Sequence, residues 1–202
     1  FKRFSIHDTP HKMINEIIFP CVIKPIFLSA SRGVIRVNTI EELAYGIKTL
    51  NELLSLEEVR ERRGEQSDWI LVEEYIPGKE VAIEGIVAEG KLKVLAVFDK
   101  PEPMEGLTFE ETIIVTPTAL SEKNQFSLFE TAQNAVKALG IVKGPVHVEV
   151  RISSSGNYIL ECASRSIGGL CSKVLEFQGG MSLEELILRS YLGRNVEKTK
   201  LT

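Results

Sequence analysis

The chain has little that would send it to a membrane, an oxidising compartment or a nucleic acid. Its best apolar run is broken by Lys24 and by two prolines, Pro20 and Pro25, well short of the ~20 residues a spanning helix needs. A charged, apolar, small-residue leader is missing as well. Three cysteines, Cys21, Cys162 and Cys171, are an odd number at spacings that match no thiolate metal site. They read as reduced thiols of a cytoplasmic protein. A net charge of −4 gives no electrostatic reason to expect a polyphosphate backbone as partner, which argues against nucleic-acid binding. Neither a Walker-type phosphate loop nor a dinucleotide fingerprint is present. Serines are plentiful but none sits at a strand-to-helix elbow, and the cysteines have no evident histidine partner.

What is there is an ordinary globular composition, 44% hydrophobic and 26% charged over 202 residues. That suffices for one large domain or two small lobes. The first residue is Phe1 and the pattern opens mid-element, as expected of a piece of a longer polypeptide preceded by an N-terminal domain.

Local signals divide the chain into helices and antiparallel hairpins. Thr9-Pro10 is a helix start, with Thr as cap and Pro at the first helical position; a short helix to about residue 17 is expected. Strands follow at 21–24 and 34–37, around the loop PIFLSASRG. Thr39 with Glu42, Ser55 with Glu58, and Ser182 with Glu185 are capping boxes, and Ser121 caps a long amphipathic helix that ends at Gly140. The run EVRERRGEQSD reads as an exposed, mobile connection. WILVEEY is a strand, and a long hairpin turning at Glu89-Gly90 comes after it. Residues 101–111 read as an acidic, Pro-rich loop before a strand at 113–115. This interleaving lacks the strand–helix–strand repeat of a doubly wound sheet and predicts an α+β fold. Two lobes are expected, residues 1–73 and 74–202.

The most informative segment is GPVHVEVRISSSGNYILECASRSIGG. It alternates apolar and polar residues on both sides of a break at 153–157, the pattern of a β-hairpin. With Ser155 as midpoint, Glu149 lies directly opposite Glu161, both on one face. Val146, Val148, Val150, Ile152, Leu160 and Cys162 form the buried face. Like charges so placed repel, with Cβ atoms about 5 Å apart. A cation between them removes the conflict, and Mg²⁺ suits: it is commonly held by one or two carboxylates plus substrate phosphates. The other reading is a solvated face with a tolerated clash.

Other candidates are weaker alone. Lys24 ends an apolar strand, where it leaves the core or meets an anion. Ser29, Ala30, Ser31, Arg32 and Gly33 form a small-residue turn able to aim N–H groups at phosphate oxygens, or a plain turn. Glu80 and Glu84 share a strand face by parity; with Glu73 and Glu74, each taken singly reads as a solvated strand residue. Lys100 is a further phosphate ligand or a charged strand end. Arg165, just past Glu161, suits an anionic substrate or a salt bridge to a neighbouring glutamate. His147 shares the face of Glu149 and Glu161 and reads as a hydrogen-bonded structural histidine, the alternative being a group that assists the site.

Laid end to end, the elements FPCVIKP with SASRGV, EELAYGI, ILVEEYIPGKEVAIEG, HVEVR and ECASRSIGG resemble the ATP-grasp superfamily over nearly the whole chain. The likeness is to its biotin-carboxylase-like branch, with its glycinamide-ribonucleotide-synthetase-type and L-amino-acid-ligase-type enzymes. The resemblance implies a two-lobed fold of antiparallel sheets with flanking helices and a nucleotide between the lobes. It implies that Lys24 contacts the phosphates and that Ser29, Ser31 and Gly33 belong to the loop closing over them. Glu73, Glu74 and Ile76 would fall in the strand that receives the adenine, and Glu80 would hold the ribose hydroxyls. Glu149 and Glu161 would be the magnesium carboxylates, and Arg165 would meet the acyl substrate or its phosphate, with Lys100 adding positive charge. The implied activity is an ADP-forming ligase that joins a carboxylate to an amine through an acyl phosphate, with ATP and Mg²⁺; the alternatives are bicarbonate activation, acyl-thioester formation or a non-catalytic nucleotide-binding domain. Its partners are small molecules, and a homodimer is compatible with it. Two departures stand out: Ala163 replaces an Asn common two residues after the second glutamate, and an upstream phosphate lysine is absent from these 202 residues.

Overall fold

The computed structural model describes residues 1–202 apart from 102–107, 110–112, 195 and 197–198 and the side chains of 62 and 63. The described residues form two structural units. One is Phe1–Tyr75 with Thr108 and Phe109, and the other is the remainder from Ile76 to Thr202. Among the described residues, no helix is long and apolar enough to cross a membrane.

The first unit is built on a four-stranded sheet. Its strands are β1 (Lys2–Ser5), β2 (Cys21–Pro25), β3 (Ile35–Val37) and β4 (Trp69–Glu74), in the order β1-β4-β2-β3. Every pairing is antiparallel. Helix α1 (Pro10–Met13) is capped by Thr9, whose side chain accepts from the Lys12 amide. Met13 ends α1, short of residue 17, and is fully buried. Helix α2 (Ile40–Leu54) starts at the Thr39 cap. It buries Leu43, Ile47, Leu50 and Leu54 at helical spacing against Ile23, Val37, Ile70 and Val72. Each such side chain contributes about 1.5–3 kcal/mol.

Two expectations for this unit are corrected, and one strand is new. The helix expected after Ser55 forms, but Ser55 does not cap it: Leu56 takes the cap position, and the Ser55 hydroxyl donates to the Asn51 carbonyl, 2.6 Å away. The charged run is not a loose connection either. It forms α3 (Glu57–Arg63) and a 3-10 turn (Gly64–Asp68), held down by buried Val59 and Ser67. Strand β1 carries too short an alternation to be read in advance, and it exists because β4 supplies its hydrogen bonds.

The second unit holds the sheet β6-β5-β7-β8: β5 (Lys79–Ala88), β6 (Lys91–Lys100), β7 (Gly144–Ser153) and β8 (Gly156–Ala163). The β5–β6 turn is Glu89-Gly90, both with positive φ (50° and 74°), the type I′ geometry that matches strand twist. Just before β5, Gly78 adopts φ 136°, and a Cβ there would sit 2.1 Å from the Ile152 carbonyl oxygen. Helix α4 (Glu122–Ala138), capped by Ser121, packs Leu128, Ala132 and Val136 on Val81, Ile83, Val146, Val148 and Val150. Helix α5 (Leu183–Tyr191), capped by Ser182, follows the short pair β9 (Glu176–Phe177) and β10 (Met181–Ser182). Leu183 and Leu186 cluster with Ala82, Ile86, Ala96 and Phe98 from the sheet's other face. Of the acidic loop expected at 101–111, most lies outside the described residues. The strand expected at 113–115 is reduced to a single bridge, Asp99 to Val115.

Candidate active site

The α5-facing side of the second sheet is only partly apolar. Beyond Ala82, Ala96 and Phe98 it carries Glu80, Glu84, Lys100, His147, Glu149 and Arg151, brought together by the register. Glu80 opposes Lys100 on one side and Arg151 on the other. Glu84 opposes His147, and Glu149 opposes Glu161.

The two acids thus stand directly across from one another, by a route the symmetric hairpin did not anticipate. Ser153 pairs with Gly156, leaving a two-residue turn, and a bulge opposite Glu149/Val150 absorbs Leu160. Ile159, and not Leu160, therefore opposes Val150. The extra residue shifts the ladder by one and returns Glu161 to the side of Glu149.

Glu80 and Glu84 are not solvated: they are 6% and 1% exposed. Burial of a carboxylate is costly unless it is paired, and here it is. Lys100 Nζ lies 2.5 Å from Glu80 Oε1 and 3.1 Å from Glu149 Oε1. Arg151 donates to Glu80 Oε2 at 2.6 Å. His147 Nδ1 lies 2.5 Å from Glu84 Oε1, and its Nε2 lies 3.2 Å from Glu149 Oε1. Glu84 Oε2 accepts from the Ile167 amide at 3.0 Å. Positive and negative groups alternate from Arg151 to Glu84. Both oxygens of Glu80, assigned by resemblance to ribose, serve Lys100 and Arg151, so this carboxylate anchors the two cations.

Burial acts to raise the Glu149 pKa, but the His147 hydrogen bond and the Lys100 charge outweigh it and hold the group down to about 2. Burial likewise acts to lower that of His147. Hydrogen bonds to Glu149 and Glu84, with their charges, win and push it up to about 9. Glu149 is therefore a carboxylate at neutral pH, as a metal ligand must be. Cys162, beside Glu161, has its thiol pushed up by burial and by that charge, away from nucleophilic reactivity.

Glu161 is more open, its side chain 48% exposed, and pairs with Arg165 at 3.3 Å. Arg165 also donates to the Ser166 carbonyl at 3.0 Å. Together Glu149 and Glu161 offer hard oxygen donors on neighbouring strands. Among the described residues, no three His, Cys, Asp or Glu form a metal-binding group. The donor set fits Mg²⁺, which keeps waters and takes phosphate oxygens beyond one or two carboxylates. Ala163, opposite His147, adds no ligand.

In the first unit, Lys24 Nζ pairs with Glu73 Oε2 at 2.6 Å. Two expected nucleotide residues thus hold each other, as diagonal neighbours on β2 and β4. Glu74 is exposed at the end of β4 and Ile76 is half-buried. Ser29 to Gly33 form a tight turn, with Ala30 and Ser31 both left-handed (φ 57° and 53°) and the Arg32 amide donating to the Ser29 carbonyl at 3.3 Å. Such backbone costs on the order of 1–3 kcal/mol per non-glycine residue and gathers at functional sites. Gly33 has a packing reason besides: a Cβ there would lie 2.8 Å from Leu53 Cδ2.

Sequence reasoning did not single out Arg151 or the bond between Glu84 and His147. The parity that puts Arg151 on the Glu149 face was available. That Glu84 and His147 meet depends on the β5–β7 pairing, between strands that are not neighbours in the chain.

A family model described as an ATP-grasp domain matches residues 17–174. Alanine–anticapsin ligase of Bacillus subtilis (strain 168) is 26% identical over 201 residues, covering 93% of this chain and 42% of the relative. A D-alanine–D-alanine ligase of Flavobacterium johnsoniae is 28% identical over 188 residues, covering 87% and 52%. The crystal structure of an L-amino acid ligase from Bacillus licheniformis superposes with a TM-score of 0.77 at 28% identity, over 94% of this chain and 44% of that one. The chain thus spans about half the length, or less, of these relatives. The matched model covers most of the chain, and the chain belongs to the ATP-grasp family.

Proposed function

We propose that the protein containing this chain is an ATP-dependent, ADP-forming ligase that joins a carboxylate to an amine through an acyl phosphate, in the cytoplasm. The observation that carries this reading is the direct opposition of Glu149 and Glu161, with Lys100 beside them. The relatives named above are ligases that act on amino acids by name, which supports an amino acid as acyl donor.

Glu149 and Glu161 would hold Mg²⁺, and the ion, when bound, would neutralise charge that develops on the transferring phosphoryl group. The chain's own groups do the rest by position and charge. Lys100, between two carboxylates, presents its positive charge next to Glu149. Arg165, half-exposed at the sheet edge, receives the acyl carboxylate or its phosphate with its forked donors. Within the first unit, Lys24 and the amides of the Ser29–Gly33 turn are the groups suited to nucleotide phosphates. The nucleophile's attack on the acyl carbon then expels phosphate.

The test is phosphate release from ATP by the full-length protein against a panel of carboxylates and amines. Release that requires both substrates, and that falls about 10³-fold or more in Glu161→Ala, is expected; several kcal/mol of metal charge stabilisation correspond to that loss. Full activity in Glu161→Ala would defeat the metal assignment. A second reading, a nucleotide-binding domain without turnover, is favoured by Ala163. Tight ATP binding with no phosphate release under any pair of substrates would establish it.

A further inference from the structure

Glu84 is among the most deeply buried charged residues of the chain, at 1% exposure, yet neither oxygen is spent on the fold's ladder. One oxygen meets His147 Nδ1 and the other receives the Ile167 amide. These two contacts lead to different parts of the candidate site. Through His147, whose Nε2 reaches Glu149 Oε1 at 3.2 Å, Glu84 bears on a metal carboxylate. Through Ile167 it fastens the segment after β8 two residues from Arg165. Ile167 is itself buried among Ala82, Ile86 and Phe98, so the amide is held from both sides.

We infer that Glu84 is a positioning residue that sets the Glu149 carboxylate and the Arg165 segment by one buried side chain. The inference rests on the ligase reading, because it needs Glu149 as metal ligand and Arg165 as anion ligand. A carboxylate accepts from both neighbours at once, and Glu84→Ala removes both acceptors and leaves both contacts unmade. Besides His147, Glu149 is held by Lys100 at 3.1 Å. Losing the imidazole therefore leaves the carboxylate aimed from the Lys100 side alone. Partners that orient a metal ligand in this way are worth about 10–100-fold in metal affinity.

The experiment compares Glu84→Ala, His147→Gln and Glu161→Ala in the full-length protein. Three quantities are read: affinity for Mn²⁺ with a non-hydrolysable ATP analogue by electron paramagnetic resonance, amide exchange of the segment around Ile167 without metal or nucleotide, and thermal unfolding. Glu84→Ala should weaken Mn²⁺ binding about 10–100-fold and speed exchange at Ile167 about 10-fold or more. His147→Gln should weaken Mn²⁺ similarly while exchange at Ile167 stays as in the wild type, since Glu84 still holds that amide. A merely structural Glu84 would lower the unfolding temperature and leave the Mn²⁺ affinity of the folded fraction unchanged, which overturns the inference. If Glu84→Ala fails to fold, His147→Gln decides: wild-type Mn²⁺ affinity there sinks it. Failure of the ligase reading looks different, because Glu161→Ala would then bind Mn²⁺ and analogue as the wild type does.

Discussion

The two faces of the β5–β7 ladder come from the same residues read alternately, and they solve opposite problems. On the α4 side, Val81, Ile83, Val146, Val148 and Val150 are buried among apolar neighbours, and their stability follows from area removed from water. On the other side, Glu80, Glu84, Lys100, His147 and Arg151 are as deeply buried and survive only because each charge has a partner. The first face tolerates a change of shape in proportion to lost volume. The second responds to removal of a single group as a whole, since its members satisfy one another. A strand in this sheet is thus a core element and a site element at once.

Substitutions on each face put this contrast to the test. The largest effect is expected on the charged face, where Lys100→Met leaves Glu80 and Glu149 with one cation fewer. Destabilisation of about 3–5 kcal/mol in chemical unfolding is expected, as for a broken buried pair. A loss under about 1 kcal/mol, the range of exposed pairs, would show that water reaches the network. Next is the apolar face, where Leu128→Ala should cost about 2–5 kcal/mol and leave the metal affinity of the folded protein as it was. A matching drop in Mn²⁺ affinity would mean that the faces are not separable.

A third outcome is a pH response that only the charged face can produce. His147 has its pKa raised from 6.5 to about 9. Its contribution is therefore full below about pH 6.5 and lost as pH climbs through about 9. Glu149 is held down from 4.5 to about 2, so its contribution is present above about pH 4.5 and lost as pH falls towards 2. Unfolding free energy of the metal-free protein should fall on both flanks, by up to about 1.4 kcal/mol per pH unit for one proton. His147→Gln should flatten the alkaline flank, and an unchanged flank in that variant would reassign it to another group. The smallest effect belongs to Glu161 on the same face. Exposed and paired only at 3.3 Å, it should change stability by less than about 0.5 kcal/mol when replaced by Ala. A loss comparable to that of Lys100→Met would show that exposure does not separate anchor from ligand.

Much of this was legible beforehand where chemistry is local. The caps Thr39, Ser121 and Ser182 announce helices within three residues, and the alternation around 153–157 announces a hairpin with Glu149 opposite Glu161. The Ser55 signal misled because a serine at the end of one helix and a cap for the next look alike; the competing acceptor, Asn51, wins. Strand β1 has Phe4 as its one buried residue, too little to show a period. Parity placed Glu80 and Glu84 on a common face, but whether that face is wet depends on Lys100 and Arg151 arriving from neighbouring strands. That information is tertiary, and no window of sequence contains it.

Residues 150–160, eleven in number, separate the two acids of the hairpin. An odd count cannot be shared equally between two strands around a two-residue tip, so one residue is surplus, and Leu160 is that residue. Removing one position from the tip, or adding one, would make the count even and let the strands zip together without a kink. The acids would still stand abreast. What would vanish is the extra local coiling that a surplus residue imparts to its strand, so small changes of length would spare the alignment of the pair and alter the angle at which it is presented.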